Sequence, residues 1–243
     1  MSRLFTVLIL LSVSFATLAD YKKGLDCIVQ NDYECALKEF KSAADKNKSK
    51  AQYKIAGMYH NGYGVKQNFV EAVKYYRLAA NQGLADAQHL LAFYYYSGTG
   101  VKQDSFEAVR LFKLAADQGL AESQSFLGHM YESGKGVKQD YVKAIKFFKL
   151  AADQGNPSAQ VTLGAMYNSG DGVKQDHFEA VRFFRLAADQ GNANAQFQLG
   201  AMYDLGQGVK QDKVEAKRLY GLSCDNQSSF GCDFYKTLNE EGY

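Results

Sequence analysis

No tryptophan occurs in this sequence of 243 residues, and only one proline and four cysteines do. Such scarcity beside 17 Tyr and 16 Phe is what a few positions copied many times would leave. At 47% hydrophobic and 22% charged residues the chain is neither disordered nor fibrous. Charge of neither sign dominates: 28 Lys and Arg face 26 Asp and Glu, a net +2, so nothing calls for nucleic acid. C-x-x-C metal spacing is absent. Also missing are S-x-x-K, K-T-G and G-x-S-x-G, and H-E-x-x-H. The one long apolar run, LFTVLILLSVSFA, lies within residues 1–19 and is shorter than the ~20 residues that span a bilayer. With Arg3 before it and TLA ahead of Asp20, it reads as a secretory signal peptide cut before Asp20. A membrane anchor is the alternative, which the shortness of the run disfavours. No Cys follows the cut, against lipoprotein attachment. Four cysteines behind such a leader read as disulfides in an oxidising compartment, secreted or periplasmic.

What is present is repetition. GVKQ followed by Asn or Asp begins at Gly64, Gly100, Gly136, Gly172 and Gly208, every 36 residues without an indel. A fixed period of this length predicts a stacked repeat array. The units run 51–86, 87–122, 123–158, 159–194 and 195–230. In the fourth, a first helix opens at Asn156-Pro157, an N-cap followed by proline at the first helical position. Its apolar stripe is Ala159, Leu163, Gly164, Met166 and Tyr167, and Gly170 stops it. A second helix starts at Asp176, with Glu179 completing a D-x-x-E capping box. Its expected buried face is Phe178, Val181, Phe184, Ala187 and Ala188, and Gly191 closes it. The GVKQ stretch is therefore a connector, whose constant glycine fits a turn with positive φ. Asp140 has Lys143 in place of Glu, so its cap is expected to lack the reciprocal bond.

Across the copies Tyr59, Tyr95, Tyr131, Tyr167 and Tyr203 align, as do Tyr76, Phe112, Phe148, Phe184 and Tyr220. One helix pair cannot bury such faces alone, so copies must stack into a continuous core. The pattern A-x-x-L-G-x-M-Y-x-x-G-x-G-V-x-x-D-x-x-E-A-x-x-x-F-x-x-A-A-x-x-G, carried nearly unbroken from Ala159 to Gly191, resembles the Sel-1-like repeat family, relatives of tetratricopeptide repeats. The resemblance implies an all-α fold, a right-handed α/α superhelical solenoid of antiparallel helix pairs that serves as a protein-interaction scaffold. Ala56 and Ala92 stand where the family places a packing glycine. Residues 20–50 form an N-terminal capping hairpin in this reading. Residues 231–243 hold one closing helix, expected from Gly231 to Asn239, and the tail. The spacing of Cys224 and Cys232 resembles that of hairpin-linking disulfides in the cysteine-rich branch of the family. With the same eight-residue offset at Cys27 and Cys35, the expected pairs are Cys27–Cys35 and Cys224–Cys232.

Positions that differ among the copies are where partner choice can be written. On the first helix they fall at i, i+4, i+7: Tyr53, Gly57, His60; His89, Phe93, Tyr96; Ser125, His129, Glu132; Val161, Ala165, Asn168; Phe197, Ala201, Asp204. First helices line the concave face of such solenoids. The stripe predicts a groove for a peptide or protein partner, contacted by Tyr53, His60, His89, Phe93, Tyr96, His129 and Phe197, with most aromatics in the first two units. A solvated face under drift is the alternative, against which exposed aromatics weigh. Three of the four histidines lie on this stripe. Like helices stand ~10 Å or more apart, and His60 and His89 differ by a further ~10 Å along the helix, so no metal and no cofactor is expected. Arg and Lys on the second helices, several paired with a Glu three residues earlier, read as a solvated convex face. The connector lysines Lys66, Lys102, Lys138, Lys174 and Lys210 fit either recent duplication or an edge for an anionic surface. The expectation is a monomeric, non-catalytic scaffold without an integral membrane segment once the leader is removed. The catalytic alternative, weak β-lactamase or penicillin binding as in the cysteine-rich branch, rests on the C-terminal cysteines alone.

Overall fold

A computed structural model describes residues 19–243; the leader assigned to residues 1–19 lies, apart from Ala19, outside them. Among the described residues every regular element is an α-helix. Two compact units are present, divided between Gln118 and Gly119. The first holds α1 (19–29), α2 (Tyr33–Asp45), α3 (Ser49–Asn61), α4 (Phe69–Asn81), α5 (Ala85–Ser97) and α6 (Ser105–Asp117). The second holds α7 (Ala121–Ser133), α8 (Tyr141–Asp153), α9 (Pro157–Ser169), α10 (His177–Ala188), α11 (Ala193–Leu205), α12 (Lys213–Asp225) and α13 (Ser229–Glu240). Within each unit a helix packs on its hairpin partner and then on the helix that follows. This is the expected all-α class of paired helices. The closing helix starts earlier than Gly231, because Ser228 caps it by accepting from the Gly231 amide.

Alternation of small and aromatic residues sets the packing. In α10, Ala180, Val181, Phe184, Ala187 and Ala188 are buried and cluster with Ala195, Leu199 and Met202 of α11, while buried Phe183 joins Leu163 and Met166 of α9. Phe178, expected on that face, is instead 77% exposed. At 100° per residue it points about 120° away from Phe184, outside the stripe. The column from Tyr76 to Tyr220 is buried throughout, whereas the column from Tyr59 to Tyr203 is only half-buried. Tyr131 and Tyr167 instead stack on Phe147 and Phe183, with centroids 5.7 Å apart in both pairs. Ala56 and Ala92 are fully buried, so the first two pairs accept a methyl there. A methyl at Gly164 would fall 2.6 Å from the Phe184 ring.

The connectors explain GVKQ. Its glycine has positive φ in all five copies, 66–74°, and at Gly64, Gly100, Gly172 and Gly208 it lies against the preceding pair. A Cβ at Gly208 would sit 2.2 Å from the His177 carbonyl oxygen, and one at Gly100 would sit 2.6 Å from that of Phe69. Asn68, Asp104, Asp140, Asp176 and Asp212 cap the second helices through side-chain oxygens. The reciprocal half of the capping box is replaced by another bond. Each cap amide donates to the tyrosine carbonyl of its own first helix, as Asp176 does to Tyr167 at 2.8 Å. The Glu is thereby left free to pair with the cation three residues on, as in Glu107–Arg110 and Glu179–Arg182. In the copy without Glu, the Lys143 ammonium pairs with Asp140 itself at 3.1 Å. The amide and ammonium of Lys143 together hold the Asp140 carboxyl below its usual pKa.

A second device lies in the buried glutamine of each first helix. Gln160 donates to the Ala152 carbonyl at 3.2 Å and accepts from Gln190 at 2.8 Å. Gln88 does the same with Ala80 and Gln118. Carbonyls at the end of one helix, which lack an intrahelical partner, are thereby satisfied across three helices. At the ends of the chain, Cys27–Cys35 joins α1 to α2 and Cys224–Cys232 joins α12 to α13, the expected pairs.

Candidate functional site

Of the predicted contact residues, three meet in one cavity of the first unit. Tyr53, His60 and Phe93 line a space of about 530 Å³ with Leu25, Phe40, Lys54, Tyr63, Tyr76 and Tyr94. Two departures from the repeat create it. Gly57 stands where the other copies carry Phe93, His129, Ala165 and Ala201. A Cβ there would come no nearer than 3.9 Å to the Tyr76 hydroxyl, so the hydroxyl faces space that a larger residue would fill. Tyr94 stands where the others carry Met58, Met130, Met166 and Met202. It is buried, and its hydroxyl meets His60 Nδ1. Tyr76 has ring centroids 5.7 Å from both Tyr53 and Tyr94. The His60 ring stands edge-on to Phe69 and Tyr94.

Burial pushes the Tyr94 phenol up to about 12 and raises Tyr76 further. Tyr53 is raised by burial and by the nearby Asp86 carboxylate. All three phenols are therefore neutral donors at physiological pH. The cavity offers aromatic walls, hydroxyl donors and an imidazole, the mixture that binds an apolar group and fixes its orientation. Its size falls within the ~300–1,000 Å³ range of ligand pockets.

The other predicted residues lie elsewhere. His89 packs edge-on against Phe112 with centroids 5.5 Å apart, and Tyr96 is half-buried. In the second unit His129 packs against Phe148 at 4.7 Å and pairs with Glu132 at 3.1 Å. Phe197 joins Tyr220, Phe230 and Phe234. Phe230 and Phe234 belong to the closing helix and lie outside the i, i+4, i+7 stripe of the first helices. A cavity of about 620 Å³ against α12 and α13, lined by Val214, Arg218, Leu222 and Tyr235, contains none of the predicted contact residues. Cations of the second helices also do more than face solvent. Arg77 donates to the Tyr95 hydroxyl at 2.9 Å and Arg185 to that of Tyr203 at 2.7 Å. Among the described residues no helix is long and apolar enough to cross a membrane.

The profile of the Sel1 repeat matches residues 49–84, 85–120, 121–156, 157–192 and 193–228, the same period begun two residues earlier. Comparison with curated proteins gives no match. Among solved structures, the chain is similar to a protective antigen present in uropathogenic Escherichia coli strains displaying an SLR fold. It is 34% identical over 93% of this chain and 49% of that one, with a TM-score of 0.89. The chain thus spans about half the length of that antigen. A Sel1 repeat protein from Oxalobacter formigenes is 30% identical, over 86% of this chain and 83% of its own, with a TM-score of 0.80. One from Klebsiella pneumoniae subsp. pneumoniae shares 22% identity over 83% of this chain and 98% of its own, with a TM-score of 0.53, a likeness in fold alone.

Proposed function

Because the chain belongs to the Sel1 repeat family, we propose that it is a non-catalytic scaffold that grips a peptide or protein partner along its first helices. Binding is concentrated in the first two repeats. The observation that carries this reading is the cavity between α3 and α5, where Tyr53, His60 and Phe93 come together over buried Tyr76 and Tyr94. Phe93 keeps 44% of its surface exposed, and rigid aromatics beside a concave site are the usual anchors of binding energy. His89, Tyr96, His129 and Phe197 extend the contact surface in this reading. Residues 20–50 and 231–243 serve as caps. The paired cysteines support an oxidising compartment, secreted or periplasmic, for which residues 1–19 would be the address.

The test is retention of a partner on immobilised protein from a periplasmic extract, followed by titration of whatever is retained. Phe93→Ala with Tyr96→Ala should weaken binding by ~30-fold or more, at ~2 kcal/mol for a truncated anchor, and Phe197→Ala should weaken it less. Wild-type affinity in the double variant together with loss in Phe197→Ala would place the contact at the other end of the molecule and overturn the reading. Purified protein should also leave a chromogenic β-lactam intact. Turnover that scales with protein concentration would count against a scaffold.

A further inference from the structure

The charges around the same cavity point to the chemistry of what enters it. None of its lining residues is acidic, whereas Lys54 is one of them. Among the described residues no carboxylate pairs with Lys54, which is exposed. The rest of α3, Ser49–Asn61, adds Lys50 and contains no Asp or Glu. Of the corresponding helices, α5 carries Asp86, α7 carries Glu122 and Glu132, and α11 carries Asp204, whereas α9 is also without an acid but has no Lys either. Asp86 lies close enough to Tyr53 to act on it, and Asp26 follows the lining residue Leu25 in sequence; neither lines the space. An uncompensated ammonium at the mouth of an apolar cavity complements an apolar group that carries negative charge beside it.

Resting on the reading of this face as a peptide groove, we infer that the cavity takes a bulky apolar side chain from an acidic peptide segment, with a flanking carboxylate set against Lys54. The apolar side chain enters among Tyr53, Tyr76 and Phe93, where the phenols stay protonated. The carboxylate stays at the wet edge, where its pairing is sensitive to salt. An apolar segment flanked by lysines is disfavoured at the same edge, so charge would select among segments that the aromatic walls alone would accept.

The experiment titrates the purified protein with three labelled synthetic decapeptides at low salt. One places Leu-Phe between pairs of Glu, the second replaces each Glu by Gln, and the third keeps Glu but replaces Leu-Phe by Ser-Ser. The acidic Leu-Phe peptide should bind about three- to fivefold more tightly than its Gln counterpart, the effect of one partly exposed ion pair. Lys54→Gln should remove that difference, and 0.5 M salt should shrink it. The Ser-Ser peptide should bind at least about tenfold more weakly, and Phe93→Ala should weaken both Leu-Phe peptides by a similar factor. Equal binding of the Glu and Gln peptides, or a preference that survives Lys54→Gln, overturns the acidic assignment. If Phe93→Ala still weakens binding in that case, the groove reading stands without it. Binding that ignores Phe93→Ala, or no binding of the acidic Leu-Phe peptide, overturns the assignment to this cavity.

Discussion

Replacing Gly208 by alanine isolates what the constant connector glycine does, because Gly191 supplies an internal control. Both have positive φ, 66° and 81°. Alanine in the left-handed region costs ~1–2 kcal/mol at either position. At Gly191 nothing else changes, since no atom lies within 4 Å of the added Cβ. At Gly208 the methyl would sit 2.2 Å from the His177 carbonyl oxygen and 2.4 Å from its carbon. Those are backbone atoms at the first residue of α10, which cannot rotate aside as a side chain can. Forcing α10 and the connector apart adds an overpacking cost of ~1–3 kcal/mol. Gly191→Ala should therefore lower the melting temperature by ~2–8 °C, and Gly208→Ala by a further ~2–12 °C, at ~2–4 °C per kcal/mol for a chain of this size. Thermal unfolding followed by circular dichroism gives both numbers in one experiment. Equal losses in the two variants would mean that positive φ alone explains the glycine and that its contact with the preceding helix carries no weight.

Three further outcomes follow from the packing. Gln160→Leu should cost ~1–3 kcal/mol by leaving the Ala152 carbonyl and the Gln190 amide without this partner, and adding Gln190→Ala should cost less than in the wild-type background; additive losses in urea unfolding would remove the clamp. Cys224→Ser with Cys232→Ser should cost about 2.5 kcal/mol from a loop of about nine residues, and non-reducing peptide maps should show only the 27–35 and 224–232 pairs; a bridge between the ends would refute the assignment. Tyr94 ionises near pH 10 when unfolded but only at about 12 when folded, so its contribution is whole below pH 10 and is lost as pH rises from 10 through 12. Stability should fall in that window, and less steeply in Tyr94→Phe; an identical alkaline profile in the variant would mean that burial does not hold the phenol neutral.

Much of the fold could be read from the chain because five copies repeat the same local instructions. Asn156-Pro157, the glycines after each helix, and the Asp or Asn caps each act through neighbours a few residues away, so sequence alone shows them. Phe178 is apolar, but its exposure is set by its angle about the helix. The missing reciprocal caps were not legible: the competing acceptor, a tyrosine carbonyl, is a backbone atom that no residue identity reveals. Tyr53, His60 and Phe93 were legible as a stripe. The cavity joining them was not, since it depends on the side chain that Gly57 lacks and on Tyr94 at a buried position outside the stripe. Phe197 was visible, but its neighbours Phe230 and Phe234 come from the helix that closes the chain, at positions outside the i, i+4, i+7 stripe.

The contact made by Gly64, Gly100 and Gly208 is with backbone atoms of Tyr33, Phe69 and His177. Those three side chains differ in polarity, and the closest atoms of the contact reach them no further than Cβ. At these three joints a pair of helices docks on the one before it while reading little of that pair's sequence, whereas at Gly172 the nearest atoms belong to the Tyr141 side chain. Duplicating a unit, or exchanging two, would then leave the joint intact while reordering the side chains displayed along the first helices. The joint separates heredity into two registers, one that keeps the pieces interchangeable and one that lets each piece drift toward a different partner.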